Sequence, residues 1–248
     1  MCYHTSLAVD AAELETRFNA TVPSGLQTAP QYHVNAYAFP RYPILTRQQP
    51  DQFQGIRWGL IPHWVKSKTD ADKLRLQTIN ARSESIYEKP SYRQAAQRGQ
   101  RCLIPITGFF EWHTGERNAG KAKYPFYIST TDQPIASIAG LWDDWADPET
   151  GDVLTTFSLL TTDANPLLAS IHNSKKRQPC VLTRDQEHAW LHENLSEKEA
   201  TQLLHKVYPA NHMQGHSISK LITSRTENSN VPEVKAPQMY PELEGMAG

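Results

Sequence analysis

QRCLIPITGFFEWH, residues 100–113, carries an apolar run bounded by polar residues and broken by Pro105 and Gly108. Its Ile, Phe and Trp content marks it as a buried strand. Further strand-like runs lie on both sides: YHVNAYAFPRYPILT (32–46), FQGIRWGLIPHW (53–64), KYPFYIST (123–130), PIASIAGLW (134–142) and LTTFSLLTT (154–162). Helical patterns are fewer. DAAELETRFNA (10–20) has Asp10 as an N-cap, with Leu14 and Phe18 at helical spacing. SYRQAAQRG (91–99), TRDQEHAWLHE (183–193) and SEKEATQLLHKVY (196–208) are the others, the last two opened by Thr183 and Ser196. Many strands with irregularly placed helices, and no βαβα alternation, predict an α+β fold: one domain around a barrel-like mixed sheet with peripheral helices. The pattern runs through about residue 228. Residues 229–248, rich in Pro, Glu and Asn, are expected to form an extended or mobile tail.

Composition narrows the function. The 248 residues are 39% hydrophobic and include 6 Trp and 10 Tyr, enough for a substantial core. A formal net charge of -1 excludes a highly basic protein that coats nucleic acid, though not a local basic groove. There is no apolar run of membrane-spanning length and no signal-like N-terminal segment, so a cytoplasmic, membrane-free setting is expected. The three cysteines are far apart and odd in number, which suggests neither a disulfide framework nor a metal site, and no cofactor is called for. Cys102 and Cys180 sit in apolar frames and read as core residues; Cys2, in MCYHT, has no such frame.

Several polar residues stand where chemistry is plausible. Period-two alternation puts Phe109, Glu111 and His113 on one strand face and Phe110 and Trp112 on the other, so Glu111 sits among aromatics that would raise its pKa. An edge-strand Glu facing water is the plainer reading. His172 ends a helix-like stretch and enters a loop, where it is either a general acid/base or a structural histidine. In LQTINARSESI (76–86), Asn80 has the donor and acceptor needed to orient a reacting group, and Arg82 the planar fork that suits phosphate; a turn Asn and an exposed Arg would look the same. Trp58 reads as core, whereas Trp64 suits either a core anchor or a stacking platform.

Taken together, Cys2, RWGLIPHW (57–64), INARSES (79–85), RCLIPITGFFEW (101–112), LLTTDANPLLASIHNSKKRQP (159–179) and ANHMQGHSISK (210–220) resemble, in order, the SOS response-associated peptidase-like family of abasic-site processing proteins. The resemblance implies a single α+β domain around barrel-like β-structure. It also implies loss of Met1 and capture, by the mature Cys2, of the ring-opened aldehyde of an abasic site in single-stranded DNA. The α-amine would form a Schiff base and the thiol would close a thiazolidine, which no internal cysteine can do. Residue by residue, Cys2, Asn80, Glu111 and His172 match the catalytic positions. Arg82 and Arg177 match positions near the DNA backbone, and Trp64 an aromatic beside the lesion. The family commonly begins Cys-Gly-Arg, whereas Tyr3 and His4 follow Cys2 here, so His4 or Tyr3 is left to serve in place of an arginine. The stretch from His172 to Arg177 is longer than the common His-x-Arg, with Gln178 next, and Lys175 or Lys176 is available to substitute for Arg177. An N-terminal-nucleophile cysteine hydrolase acting on an amide, and a noncatalytic single-strand binder, are the alternative readings.

Overall fold

The computed structural model describes residues 2–26, 28–117 and 120–243. In chain order its strands are β1 (His4–Leu7), β2 (Gln31–Asn35), β3 (Arg41–Thr46), β4 (Gln49–Trp58), β5 (Asn80–Arg82), β6 (Arg101–Ile106), β7 (Gly108–Arg117), β8 (Gly120–Thr130), β9 (Ala136–Ala146), β10 (Val153–Asp163), β11 (Arg177–Pro179), β12 (Val181–Leu182) and β13 (Met213–Ser217). Helices α1 (Ala11–Phe18), α2 (Lys68–Arg75), α3 (Pro90–Gln97), α4 (Pro166–Ile171), α5 (Arg184–His192) and α6 (Glu197–His205) lie between them.

The larger sheet closes on itself. β4 pairs with β3, β3 with β6, β6 with β9, β9 with β10, and β10 returns to β4. Only the β10–β4 closure is parallel, which makes this a mixed five-stranded barrel. β5 runs parallel to β10, with Asn80 opposite Leu159, and β11 pairs with the end of β10. The second sheet has the order β13-β8-β7-β1-β2, so β1 is an interior strand between β7 and β2. The chain's beginning is thereby enclosed. The fold is α+β, as the strand-rich pattern requires.

Residues 101–113 join the two sheets. β6 is buried throughout, as a barrel strand must be. Gly108 then opens β7 in the second sheet, where a Cβ would stand 2.5 Å from the Tyr127 hydroxyl and 2.6 Å from the Ile128 carbonyl. On β7 the expected alternation is present. Phe109 packs in the main core between the sheets, while Phe110 packs on the opposite face with Tyr127, Ile218, Ile222 and Val234, and Trp112 leans on that second cluster.

Local signals account for most helices. Asp10 and Glu13 form a reciprocal capping box on α1, and Thr183–Gln186 and Ser196–Glu199 do the same for α5 and α6. Leu14, Trp190 and Leu204 are among the residues these helices bury. Part of the expected tail lies against the body: Asn230 Oδ1 accepts from the backbone N–H groups of Tyr32 and His33, the Gln238 N–H donates to the Ser217 carbonyl, and Val234 is buried. Residues 244–248 of that tail lie outside the described residues. Among the described residues, no helix is long and apolar enough to cross a membrane.

Candidate active site

Cys2 lies just ahead of β1 and is wholly buried, in the same core cluster as Cys102 and Cys180. The lack of an apolar frame in MCYHT is therefore misleading, because the frame comes from strands distant in sequence. Burial pushes the Cys2 thiol far up from its ordinary value, and the negative charge of Glu111 adds to the effect. Its Sγ donates to the His4 carbonyl at 3.4 Å. In the chain that carries residue 1, Cys2 is thus a neutral thiol.

Asn80 comes to it from β5. Its Nδ2 donates to the Cys2 carbonyl at 2.7 Å, while the Tyr92 hydroxyl donates to the Asn80 carbonyl at 3.2 Å. Asn80 Oδ1 is buried and has no hydrogen-bond partner among the described residues. The parallel pairing of β5 with β10 fixes this position, since the Leu159 N–H donates to the Ile79 carbonyl and the Trp58 indole donates to that same oxygen. Trp58 is core, as expected.

Glu111 is 2% exposed and faces Phe126 across β7–β8. Burial raises its pKa to about 7. An edge-strand carboxylate in water is excluded. His172 caps the C-terminal end of α4, which starts with Asn165 as N-cap and Pro166 in the first turn. The His172 Nδ1 is 3.0 Å from the Arg177 carbonyl and 3.6 Å from Glu111 Oε2. A backbone carbonyl only accepts, so Nδ1 carries the proton and Nε2 keeps its lone pair. Burial also lowers the His172 pKa, which favours the neutral ring. Two links hold α4 and the loop after it to β7: His113 Nδ1 meets the Ser170 carbonyl at 3.0 Å, and Asn173 bonds the Thr114 backbone twice.

Above Glu111 and His172 lies a cavity of about 260 Å³, whose walls include Tyr3, Trp112, Thr114, Lys123, Ser174 and Lys175. Lys123, Thr114 and Ser174 carry no local sequence signal. They are brought together by the β7–β8 register, which sets Thr114 opposite Lys123, and by the loop after His172.

The candidate DNA-contacting residues divide. Arg82 is exposed at the end of β5. Trp64 is 44% exposed, with its indole donating to the Pro90 carbonyl, and it borders a separate groove with Lys66, Lys73 and Gln77. Arg177 and His4 are instead engaged within the protein. The Arg177 guanidinium is buried, grips Glu84 through both nitrogens at 2.7 and 2.9 Å, and also bonds Asp163 Oδ1 and the Thr161 carbonyl. It has no free fork for phosphate. His4 Nδ1 lies 2.8 Å from His33 Nε2, and its ring meets Trp112 edge-on. Burial depresses its pKa to about 3, so it supplies no cation at neutral pH.

Comparison with known proteins gives the family. The family model described as SOS response associated peptidase (SRAP) matches residues 1–225. Abasic site processing protein YoqW of Bacillus subtilis (strain 168) is 32% identical over 92% of this chain and 97% of its own length. Abasic site processing protein HMCES of Pongo abelii is 30% identical over 73% of this chain and 56% of the relative. A crystal structure of a protein from Bacteroides thetaiotaomicron superposes with a TM-score of 0.86 at 38% identity, covering 96% of this chain and all of that one. With a family model spanning nine-tenths of the sequence, the chain belongs to the SOS response associated peptidase family.

Proposed function

We propose that the protein processes abasic sites in single-stranded DNA by covalent capture through Cys2 after removal of Met1. The observation that carries this reading is that Asn80 bonds the carbonyl of Cys2, whose neighbour Tyr3 lines a cavity together with Glu111 and His172. The names of the relatives add the substrate class.

The chemistry follows from the N-terminal position. Removing residue 1 converts the Cys2 amide into an α-amine, whose pKa near 8 leaves roughly a tenth neutral at pH 7. The amine adds to the C1′ aldehyde and water leaves, giving an imine. The thiol sulfur then bonds the imine carbon while its proton passes to the nitrogen, and a five-membered thiazolidine closes. The new ammonium offsets the charge of Glu111 and favours the thiolate. Glu111, with a pKa near 7, both takes a proton from the amine and returns one during water loss. Neutral His172, with Nε2 as acceptor, assists opening of the sugar ring. Asn80 keeps the Cys2 carbonyl fixed while the amine reacts. Arg82 and Trp64 supply backbone charge and an aromatic face for the strand.

The test combines intact mass with an oligonucleotide. The protein should lack Met1 and give a denaturation-resistant adduct with a single strand bearing an aldehydic abasic site, none with the intact strand, and none after Cys2→Ala. Retention of Met1 in an otherwise folded protein would overturn capture. Turnover of an amide substrate without an adduct would assign an N-terminal-nucleophile hydrolase instead. Equal binding of intact and abasic strands without an adduct would leave a passive binder.

A further inference from the structure

The segment between His172 and Arg177 is a constructed loop. Asn173 spends its whole amide on Thr114 of β7, with Oδ1 accepting from the Thr114 N–H at 3.0 Å and Nδ2 donating to the Thr114 carbonyl at 2.8 Å. The Lys176 N–H returns to the His172 carbonyl at 2.9 Å, and Lys176 adopts a left-handed φ of 49°, which turns the chain into β11. Between these anchors Ser174 and Lys175 are exposed and line the cavity above Glu111 and His172. Lys123, also exposed, lines the same cavity from β8, opposite Thr114. The cavity mouth therefore carries two ammonium groups and two hydroxyls, one of each from the loop and one of each from the β7–β8 pair.

This arrangement meets a deficit. A strand entering the cavity brings phosphodiesters beside the captured sugar, yet Arg177 is committed to Glu84, Asp163 and Thr161, and His4 is a neutral partner of His33. Lys176 is exposed but does not border the cavity. We propose that Lys175 and Lys123 form a phosphodiester subsite at the mouth of the Glu111–His172 cavity, with Asn173 as the positioning residue that aims Lys175. The subsite rests on the single-strand capture reading given above. Ammonium groups on two walls of one cavity suit the phosphodiesters on either side of the captured sugar, and neither reads a base, as a lesion without one requires.

The experiment measures reversible binding of the wild-type chain to a single strand with a tetrahydrofuran abasic analogue, which has no aldehyde, across sodium chloride concentration. Each phosphate contact contributes about 0.7 to the slope of log affinity against log salt. Lys175→Ala should reduce the slope by about 0.7, and Lys123→Ala with Lys175→Ala by about 1.4. Lys176→Ala should leave it unchanged. Asn173→Ala should act like Lys175→Ala, and the two together should do no more than Lys175→Ala alone, a coupling that lost fold stability would not produce. An unchanged slope in Lys175→Ala, an equal loss in Lys176→Ala, or additive effects of Asn173 and Lys175 would overturn the subsite or its positioning. Failure of the underlying reading looks different: the wild type would give no adduct with an aldehydic strand, whatever the salt slopes.

Discussion

Asn80 Nδ2 donates to the Cys2 carbonyl at 2.7 Å, joining a strand on the barrel to the start of the chain across 78 residues of sequence. The bond fixes the main chain on the carbonyl side of Cys2.

Asn80→Asp puts a carboxylate oxygen where the Nδ2 donor stands, against a carbonyl that also only accepts. An unpaired buried acceptor costs about 1–3 kcal/mol. Adduct formation should slow by at least tenfold, as about 1.4 kcal/mol of lost positioning would give. Single-turnover capture rates on an abasic strand measure this. Wild-type rates in Asn80→Asp would remove Asn80 from the site.

For Glu111 the prediction is a pH dependence. Burial raises the carboxyl from 4.5 to about 7, so the folded chain holds a proton that the unfolded chain has released. The stability from that extra proton is fully present below about 4.5 and is lost as pH rises through about 7. Glu111→Gln does not titrate. Its stability relative to wild type should therefore grow over that window, by at most about 3 kcal/mol, as read from denaturant midpoints against pH. Capture by Glu111→Gln should be slower and lose the inflection near neutrality. Parallel stability curves for the two proteins would show that folding leaves the Glu111 pKa at its ordinary value.

Where the sequence was informative, the cause was local. The alternation of Phe109, Phe110, Glu111 and Trp112 already separates the two faces of β7, and the caps Asp10, Thr183 and Ser196 mark three helices. α2 has an N-cap too, Ser67, but no apolar stripe to go with it, because Ala71 is the one residue it buries. The site is legible only in part, since its contacts are long-range. Nothing near Cys2 announces that β1 is an interior strand, and nothing near Arg177 announces Glu84, which is 93 residues away. An arginine followed by Gln-Pro looks the same whether it grips phosphate or a carboxylate.

That ambiguity makes Arg177 a useful discriminator. Arg177→Ala removes a two-pronged pair with half-exposed Glu84 and leaves the Thr161 carbonyl without that donor. The exposed Asp163 contributes little. The loss should be about 1–3 kcal/mol of stability, visible as a lower thermal midpoint. Its carbonyl, which fixes the His172 proton, belongs to the backbone and survives the substitution. The salt slope of strand binding should stay at its wild-type value. A reduced slope with unchanged thermal stability would return Arg177 to the DNA backbone.

The His4–His33 pair makes the opposite use of burial. The two rings share a hydrogen bond of 2.8 Å, pack against Trp112 and Phe110, and end at Ser229 Oγ, 2.7 Å from His33 Nδ1. Burial lowers their pKa values to about 3 and about 4, and the charge of a protonated His33 further opposes a proton on His4. The unfolded chain protonates near 6.5, so it binds more protons than the folded chain below that pH. The stability of the neutral pair is complete above about 6.5 and is lost progressively as pH falls toward about 3. His4→Gln with His33→Gln should flatten the acid limb of the stability curve between these values. His4→Arg places a permanent charge beside Trp112 and His33 and should lower stability at every pH rather than improve DNA binding. An arginine variant that is equally stable and binds more tightly would show that position 4 turns outward to the strand after all.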